Sequence, residues 1–430
     1  MFKSLKNAWA IPEMRKKMIF TLVIVLLYRI GAAIHVPFTD YEMMASTLQL
    51  SGGNFFTYLN ILSGDAFSRA TLFALSISPY ITASIVMQLL AVAIPALERM
   101  SKDENGQKKI ATITRIVTVG LAFLTAFGYY MYMKNYGVLT ATGETVFGGF
   151  VIVFCYAAGA SLIMWLAEKI NDKGIGNGIS IILFANIIAS TVSGIISLGS
   201  YAISDAWHLV LVEILAFAAL AMITFVVFVT NSERRIPVQY AKKVVGRKMY
   251  GGQSTTLPIK LSMNGVMPII FAQSIVTIPS MIEMLVATKI KEGGFWEKFF
   301  DVLSYNSPLY AIIFFVLIIA FSYFYILISF NPVEVANNLK KNGGFIPGIR
   351  PGKPTSDYIT KILNRITLMG AIFLAIVAVV PLIVNMISGT QLGSLAFGGS
   401  SILILVGVIL ETTREIEAQM TMRHYKGFLE

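Results

Sequence analysis

Long apolar runs recur along the whole chain, and they limit what this sequence can fold into more than any other feature. Each run approaches the roughly 20 residues that an α-helix needs to cross the hydrocarbon core of a bilayer. The composition agrees, because 56% of the 430 residues are hydrophobic and only 13% are charged. That charged fraction is about half of what soluble domains carry. The runs predict an all-α polytopic membrane protein with ten transmembrane spans, near residues 18–36, 71–93, 110–132, 147–168, 178–199, 209–230, 265–287, 308–330, 366–388 and 395–411.

Basic residues are distributed unevenly between alternate connections. If the N-terminus is cytoplasmic, most of the 34 lysines and arginines fall in the two termini and in the connections on the same side. Lys and Arg near span ends favour the cytoplasmic side of a membrane. The asymmetry therefore predicts that both termini are cytoplasmic.

Two cytoplasmic connections, residues 231–264 and 331–364, are far longer than joining two helices requires. The first has alternating Ile236, Val238 and Tyr240 and then a turn, which indicates paired strands. In the second, Asn331 and Pro332 open a predicted helix that ends at Gly343. Both connections are basic, which suits an anionic partner such as RNA or an acidic protein, with anionic lipid as the alternative.

Sequence motifs for catalysis are absent. The chain contains no GxxxxGK[ST], HExxH or GxSxG pattern, and its three histidines are far apart in sequence. The single cysteine, Cys155, lies inside span 4, so neither a disulfide framework nor a thiolate metal site is expected. We therefore expect no enzyme activity, cofactor or metal. The charged residues in the spans, Arg29 among them, fall towards span ends, where their side chains are expected to reach the interface.

Spans 2 and 7 contain a similar pattern, which suggests an internal repeat. SPYITASIV in span 2 and MPIIFAQSIV in span 7 both have Pro-x-Ile-x-Ala followed by a polar residue. Five spans per half is an odd number, so a second half related to the first would be inverted. Both spans are also polar for membrane helices, which suggests a seam between the halves. The polar residues are Ser78, Thr82, Ser84, Gln88, Gln273, Ser274 and Thr277.

A short apolar segment separates spans 1 and 2. The sequence GGNFFTYLNILSGDAF covers residues 52–67 and is bounded by glycines. A helix of ten residues rises about 15 Å, half the thickness of the hydrocarbon core. The segment is therefore predicted to be a helix on the outer side that does not cross the membrane.

Several of these segments together resemble the SecY family, whose members form the central subunit of the bacterial protein-conducting channel. The resemblance covers essentially all of the chain, in the order and spacing of the family. It is carried by SPYITASIVMQLL, GIGNGISIILFANI, RRIPVQYAKK with QSTTLPIK, NGVMPIIFAQSI, FNPVEVANNLKKNGGFIPGIRPG and GGSSILILVGVILE. It implies two inverted five-helix halves, residues 1–200 and 201–430, around an hourglass pore in the inner membrane. Unfolded secretory polypeptides would cross through this pore, and hydrophobic segments would leave sideways into the membrane.

The resemblance also assigns roles to individual residues. A ring of apolar side chains that narrows the pore falls on Ile77, Ile81, Ile85, Ile179, Leu183, Ile270 and Ile404. Leu183 replaces a common isoleucine, and the ring stays apolar. A short helix at 54–64, the plug, would close the outer funnel below this ring. Plug residues are Asn54, Phe55, Phe56, Tyr58, Leu59, Asn60, Leu62 and Asp65. Gly52, Gly53 and Gly64 would let the plug swing away.

The family's lateral gate lies where spans 2 and 3 meet spans 7 and 8, and Thr82 and Ser274 are the candidates for bridging it. The two long cytoplasmic connections correspond to the family's docking surface for the ribosome and for the motor ATPase SecA. Candidate docking residues are Arg234, Arg235, Lys242 and Arg350. The resemblance further implies the small membrane subunits SecE and SecG, polypeptides that bear signal sequences, and contact with membrane lipids.

Two other function classes compete with a passive protein-conducting channel. An ion-coupled secondary transporter of a small solute also uses inverted repeats and broken helices. The apolar spans are almost free of carboxylates at mid-membrane, which counts against it. A membrane scaffold would lack a water-lined interior.

Overall fold

The structure is a computed structural model, and it is dominated by helices. It describes residues 2–50, 55–204, 206–240, 243–245, 248–250, 254–261, 265–286, 294–304, 307–388 and 399–426. The N-terminal helices are α1 (Phe2–Ala10), α2 (Pro12–Gly31), α3 (Tyr41–Leu50), α4 (Phe55–Ser63), α5 (Ser78–Ala93), α6 (Pro95–Lys102), α7 (Glu104–Asn135), α8 (Val146–Lys173) and α9 (Gly178–Ser204). The remaining helices are α10 (Ala206–Asn231), α11 (Met267–Val276), α12 (Ile278–Val286), α13 (Phe295–Val302), α14 (Pro308–Ser329), α15 (Pro332–Lys341), α16 (Lys353–Ser388) and α17 (Gly399–Lys426).

Six helices in the described ranges are long and apolar enough to cross a membrane. They are α7, α8, α9, α10, α14 and α16. The count becomes seven if α5 and α6, which meet at a bend of 106°, form one span. The chain is therefore a multi-pass helical protein by the length and composition of its helices.

Span 2 was predicted as a continuous run from residue 71, and this boundary is wrong. Helix α5 begins at Ser78, with Pro79 in its first turn. Before it, Asp65, Ala70 and Ser76 have positive φ angles, so the backbone from 64 to 77 is irregular. Pro79 has a fixed φ angle and no N–H, which suits the first turn of a helix and not its interior.

Span 7 is also interrupted, although the sequence analysis placed one continuous span at 265–287. Helix α11 ends at Val276 and α12 starts at Ile278, with Thr277 between them. Pro279 follows directly, and a proline inside a continuous helix would remove one hydrogen bond of the ladder. The break is local, because Thr277 keeps helical backbone angles and the N–H groups of Thr277 and Met281 still donate to the residues four positions earlier.

The two long connections, residues 231–264 and 331–364, contribute strands to one small sheet. Strand β1 (Glu233–Tyr240) lies between β4 (Ser254–Lys260) and β5 (Gly344–Phe345), and both pairings are antiparallel. A separate hairpin pairs β2 (Lys243–Val245) with β3 (Lys248–Tyr250). Ile236 and Val238 are buried on one face of β1 and belong to an apolar cluster with residues of α16. The predicted alternation is confirmed. The segment RKMYGG, expected as the return strand, contributes β3 but pairs with β2, and β1 pairs with β4 and β5 instead. The two connections share one core.

Helix α15 confirms a second local prediction in these connections. The side chain of Asn331 accepts hydrogen bonds from the backbone N–H groups of Val333 and Glu334. Pro332 is the first helical residue, and Lys340 and Lys341 occupy the last turn. Asn331 caps the N-terminal end of the helix, and Pro332 suits its first position. The positive charges of Lys340 and Lys341 are favoured by the helix dipole at the C-terminal end.

Candidate functional site

The residues assigned to the apolar ring come together in the largest apolar cluster of the described structure. Ile77, at the start of α5, is buried together with Ile81 and Ile85 of that helix. Leu183 of α9, Ile270 of α11 and Ile404 of α17 are buried in the same cluster. Ile179 is partly buried and packs against it. Four helices that are far apart in sequence therefore bring their aliphatic side chains to one place.

A partly open, mostly apolar cleft lies beside these side chains. Its ring residues are Ile81, Leu183, Ile270 and Ile404, and Leu59 and Leu62 of α4 line the same space. Polar groups from Ser78, Gln273, Ser274 and Thr277 also line it. The short outer helix, the ring and part of the polar seam thus share one cavity.

Helices α5 and α11 begin in the same way. Each has a proline in its first turn, Pro79 in α5 and Pro268 in α11. In α5 the carbonyl of Ile77 accepts from the N–H of Ile81 at 3.1 Å, and in α11 the carbonyl of Val266 accepts from Ile270 at 3.2 Å. The two ring isoleucines therefore occupy matched positions, two residues after the proline. This local match is what two related halves would produce.

The segment predicted to be the plug contains a helix, α4, as expected, and hydrogen bonds define the C-terminal end of that helix. The N–H of Gly64 donates to the carbonyl of Ile61 at 3.1 Å, and that of Asp65 donates to Asn60 at 3.0 Å. This pair of bonds is a Schellman motif, which places Gly64 at the residue that needs a left-handed backbone. Gly64 has a φ of +67°, so it caps the plug helix.

Polar side chains outside the plug bind the carbonyl groups at this end. Asn186 of α9 donates through Nδ2 to the carbonyl of Leu62 at 2.7 Å, and Ser190 donates to Ile61 at 3.0 Å. Arg29 of α2 donates to the carbonyl of Gly64 at 3.4 Å and also to that of Ala185. The side chain of Arg29 therefore points inwards, and the expectation that it reaches the membrane interface is wrong.

Within the plug, polar residues also bond to each other. Asn60 donates to the carboxylate of Asp65 at 3.0 Å and accepts from the N–H of Ser68 at 2.9 Å. These bonds fold the residues that follow the helix back onto it. The prediction for Asn54 lies outside the described residues, as do the side chains of Phe55, Phe56 and Tyr58.

The two candidate lateral-gate residues lie on neighbouring helices. Helix α5 (span 2) contacts α11, and α7 (span 3) contacts α12, so spans 2 and 3 both contact span 7. The part of span 8, helix α14, in the gate stays a prediction. Thr82 Oγ1 donates to the carbonyl of Ser78 at 3.1 Å, and Ser274 Oγ donates to that of Ile270 at 2.8 Å. Each hydroxyl is thus bonded to its own helix, and a bridge between them stays a prediction.

Candidate docking residues lie on the small sheet formed by the two long connections and on the adjacent turn. Arg234, Arg235 and Arg350 are exposed, and Arg235 pairs with Glu233 at 2.7 Å. Lys242 lies outside the described residues. Next to this surface, burial and the nearby charge of Arg414 lower the pKa of Lys260. The described part of these connections therefore presents positively charged guanidinium groups on a folded surface.

Sequence reasoning missed Asn186, Ser190 and Ser76, and it misjudged Arg29. For Arg29 the sequence did contain an indication, because an ionisable residue within a span by default marks a functional position. No group of histidine, cysteine or carboxylate residues in the described ranges is arranged to hold a metal ion.

The fold and this site define a polytopic helical membrane protein with a large buried apolar cluster and a cleft beside it that a short helix, α4, also lines. The family model for SecY matches residues 71–413. The chain belongs to the SecY family.

Curated relatives and solved structures agree with this assignment. The protein translocase subunit SecY of Streptomyces galbus is 41% identical over 442 residues, covering all of both chains. That of Mycobacterium tuberculosis (strain H37Rv) is 42% identical over 433 residues, covering 97% of each. A solved structure described as a protein conducting channel has a TM-score of 0.68 at 18% identity, covering 94% of this chain and 92% of that one. Sec61 in a canine ribosome-channel complex has a TM-score of 0.64 at 18% identity, covering 97% of each chain.

Proposed function

We propose that this chain is the pore-forming subunit of a protein-conducting channel, a passive subunit that passes unfolded secretory polypeptides across the membrane. One observation carries the proposal. Ring residues Ile81, Leu183, Ile270 and Ile404 surround the same cavity as Leu59 and Leu62 of the plug. A closed pore needs this combination of a narrow apolar passage and a removable obstruction.

The proposed architecture has ten spans in two inverted halves, residues 1–200 and 201–430. The matched starts of α5 and α11 support it, because Pro79 and Pro268 stand in the same position relative to Ile81 and Ile270. The two helices also contact each other, which puts the proposed boundary between halves beside the ring. Hydrophobic segments would leave along this boundary, between spans 2 and 3 (α5 and α7) on one side and spans 7 and 8 (α11, α12 and α14) on the other.

The ring would act as a dry constriction. Aliphatic side chains offer water and ions no hydrogen bonds, so a narrow apolar passage resists their entry. A polypeptide of sufficient length displaces the side chains and fills the passage itself. Passage therefore needs a partner that supplies work, and we assign ATP or GTP hydrolysis to such partners.

The cytoplasmic sheet is the proposed docking surface. Arg234, Arg235 and Arg350 are exposed, and with Lys242 they would bind anionic groups of the ribosome or of SecA. The structural relative Sec61 is described in a ribosome-channel complex, which supports a ribosome as one partner. We further propose SecE and SecG as membrane subunits. The bacterial inner membrane is the proposed location, with both termini in the cytoplasm.

The test uses the full chain, co-purified with SecE and SecG and reconstituted in liposomes. With SecA and ATP, an unfolded secretory precursor is expected to become protected from added protease. Arg350→Glu is expected to abolish this protection by repelling the docking partner. Lys298→Glu makes the same charge change on exposed α13 of the predicted outer side, and it is expected to leave translocation intact. Uptake of a small solute driven by an ion gradient, without precursor protection, would overturn the proposal in favour of a secondary transporter.

A further inference from the structure

The carbonyl groups at the C-terminal end of the plug helix need hydrogen-bond donors, which the aliphatic ring side chains cannot supply. The last carbonyl groups of any α-helix have no partner within the helix. The Schellman bonds of Gly64 and Asp65 use the carbonyls of Ile61 and Asn60. The carbonyls of Leu62 and Gly64 must find donors elsewhere, and they lie inside a membrane protein, where unpaired carbonyls are costly.

Side chains of two spans, α9 and α2, donate hydrogen bonds to the carbonyl groups at this helix end. Asn186 of α9 is fully buried and donates to Leu62 at 2.7 Å. Ser190, one helical turn further along the same face, donates to Ile61 at 3.0 Å. Arg29 of α2 donates to Gly64 at 3.4 Å. Its positive charge at the C-terminal end of a helix is also favoured by the helix dipole.

Packing at this point is close as well as polar. A Cβ atom built on Gly64 would lie 2.8 Å from Nη1 of Arg29 and 3.0 Å from Cα of Asn186. Ser76, which precedes α5, donates to the same Leu62 carbonyl at 3.1 Å and is itself bonded by Asn186 at 3.2 Å. The donors therefore support each other's positions around the helix end.

We propose that Arg29, Asn186 and Ser190 form a polar latch that holds the plug closed by binding the backbone carbonyl groups at the C-terminal end of its helix. The inference rests on the proposed function, because it assigns a resting state to the plug. The latch recognises backbone, so it does not depend on which side chains the plug carries. Its donors come from α2 and α9, both in the first half of the chain. Separation of α5 from α11 alone therefore leaves the latch intact, and plug displacement is a separate step from opening between the halves.

The test compares two serines of α9 that donate to different partners. Ser190 donates to the plug, whereas the exposed Ser193 donates to the carbonyl of Ala189 in its own helix. Each is replaced by alanine in the full complex in planar bilayers, and the resting conductance is measured. Ser190→Ala is expected to raise it about fivefold, since one hydrogen bond contributes a net of about 1 kcal/mol. Ser193→Ala is expected to leave it unchanged.

A second readout identifies the plug as the part that moves. In a Cys155→Ser background, the cysteine in Leu59→Cys is labelled from the outer side with a membrane-impermeant maleimide. Adding Asn186→Leu, which removes the donor at similar volume, is expected to raise the labelling rate about tenfold. Unchanged labelling in Asn186→Leu, or equal conductance of the two serine variants, would overturn the latch. Precursor translocation by the unsubstituted complex is scored separately, so that its failure counts against the proposed function and not against the latch.

Discussion

Replacing ring isoleucines by serine tests whether the apolar cluster is the seal. Ile81 is 6% exposed and Ile270 is 4% exposed, so each side chain loses nearly all of its buried area on truncation. Ile→Ser removes three carbon groups, which at about 0.8 kcal/mol each weakens the closed state by about 2.4 kcal/mol per site. This is an upper estimate, because an open ring keeps part of its apolar contact. A difference of 1.4 kcal/mol changes an equilibrium constant tenfold, so the population of channels that leak ions rises by up to roughly 50-fold per site.

The assay is resting ion conductance of the reconstituted complex in planar bilayers, without SecA or precursor. Ile163→Ser is the matched control, since Ile163 of α8 is fully buried in the same apolar cluster and does not line the cavity. It loses the same buried area and is expected to lower thermal stability without raising conductance. If Ile81→Ser and Ile270→Ser conduct no more than Ile163→Ser, the ring assignment is refuted.

Three further predictions concern local structure. Gly64→Ala places a side chain on a backbone with φ of +67°, and the strain of about 1–3 kcal/mol should loosen the closed plug and raise resting conductance. Asn331→Ala removes the cap of α15 and should lower its local stability by about 1 kcal/mol, measured by hydrogen exchange of that helix, whereas Asn331→Asp should retain it. Tyr129→Phe removes a buried hydrogen bond and should lower the melting temperature, while Tyr136→Phe, at an exposed tyrosine, should not.

Local features of this chain were accessible from the sequence. Hydropathy predicted a multi-pass helical protein, because a helix that crosses a membrane must be apolar over its whole length. Six of the described helices are long and apolar enough to cross, or seven if α5 and α6 form one span, whereas ten spans stay a prediction. The alternation of Ile236 and Val238 predicted a strand, and Asn331 with Pro332 predicted the start of α15; both are confirmed. Each of these depends on a residue and its near neighbours in the chain, which a single sequence displays directly.

Features that depend on distant partners were not accessible in this way. Hydropathy does not distinguish an isoleucine that faces lipid from one that faces a pore, so Ile81 and Ile270 were assigned through the family resemblance. Arg29 was expected at the interface because its partners, the carbonyls of Gly64 and Ala185, are backbone groups that no side-chain pattern marks. The late start of α5 follows from the irregular backbone before it, although Pro79 gave a usable indication of that boundary.

The central claim is that a translocating polypeptide passes between the ring residues, and site-specific photocrosslinking tests it most directly. A photoreactive amino acid is placed at Ile81, which lines the cavity, or at Phe154 of α8, which is 56% exposed on the outside of the described helices. A precursor is then arrested in mid-translocation with SecA and ATP. We predict crosslinks to the precursor from position 81 and none from position 154. Arrested, protease-protected precursor that crosslinks only from position 154, or from neither position, would contradict the account.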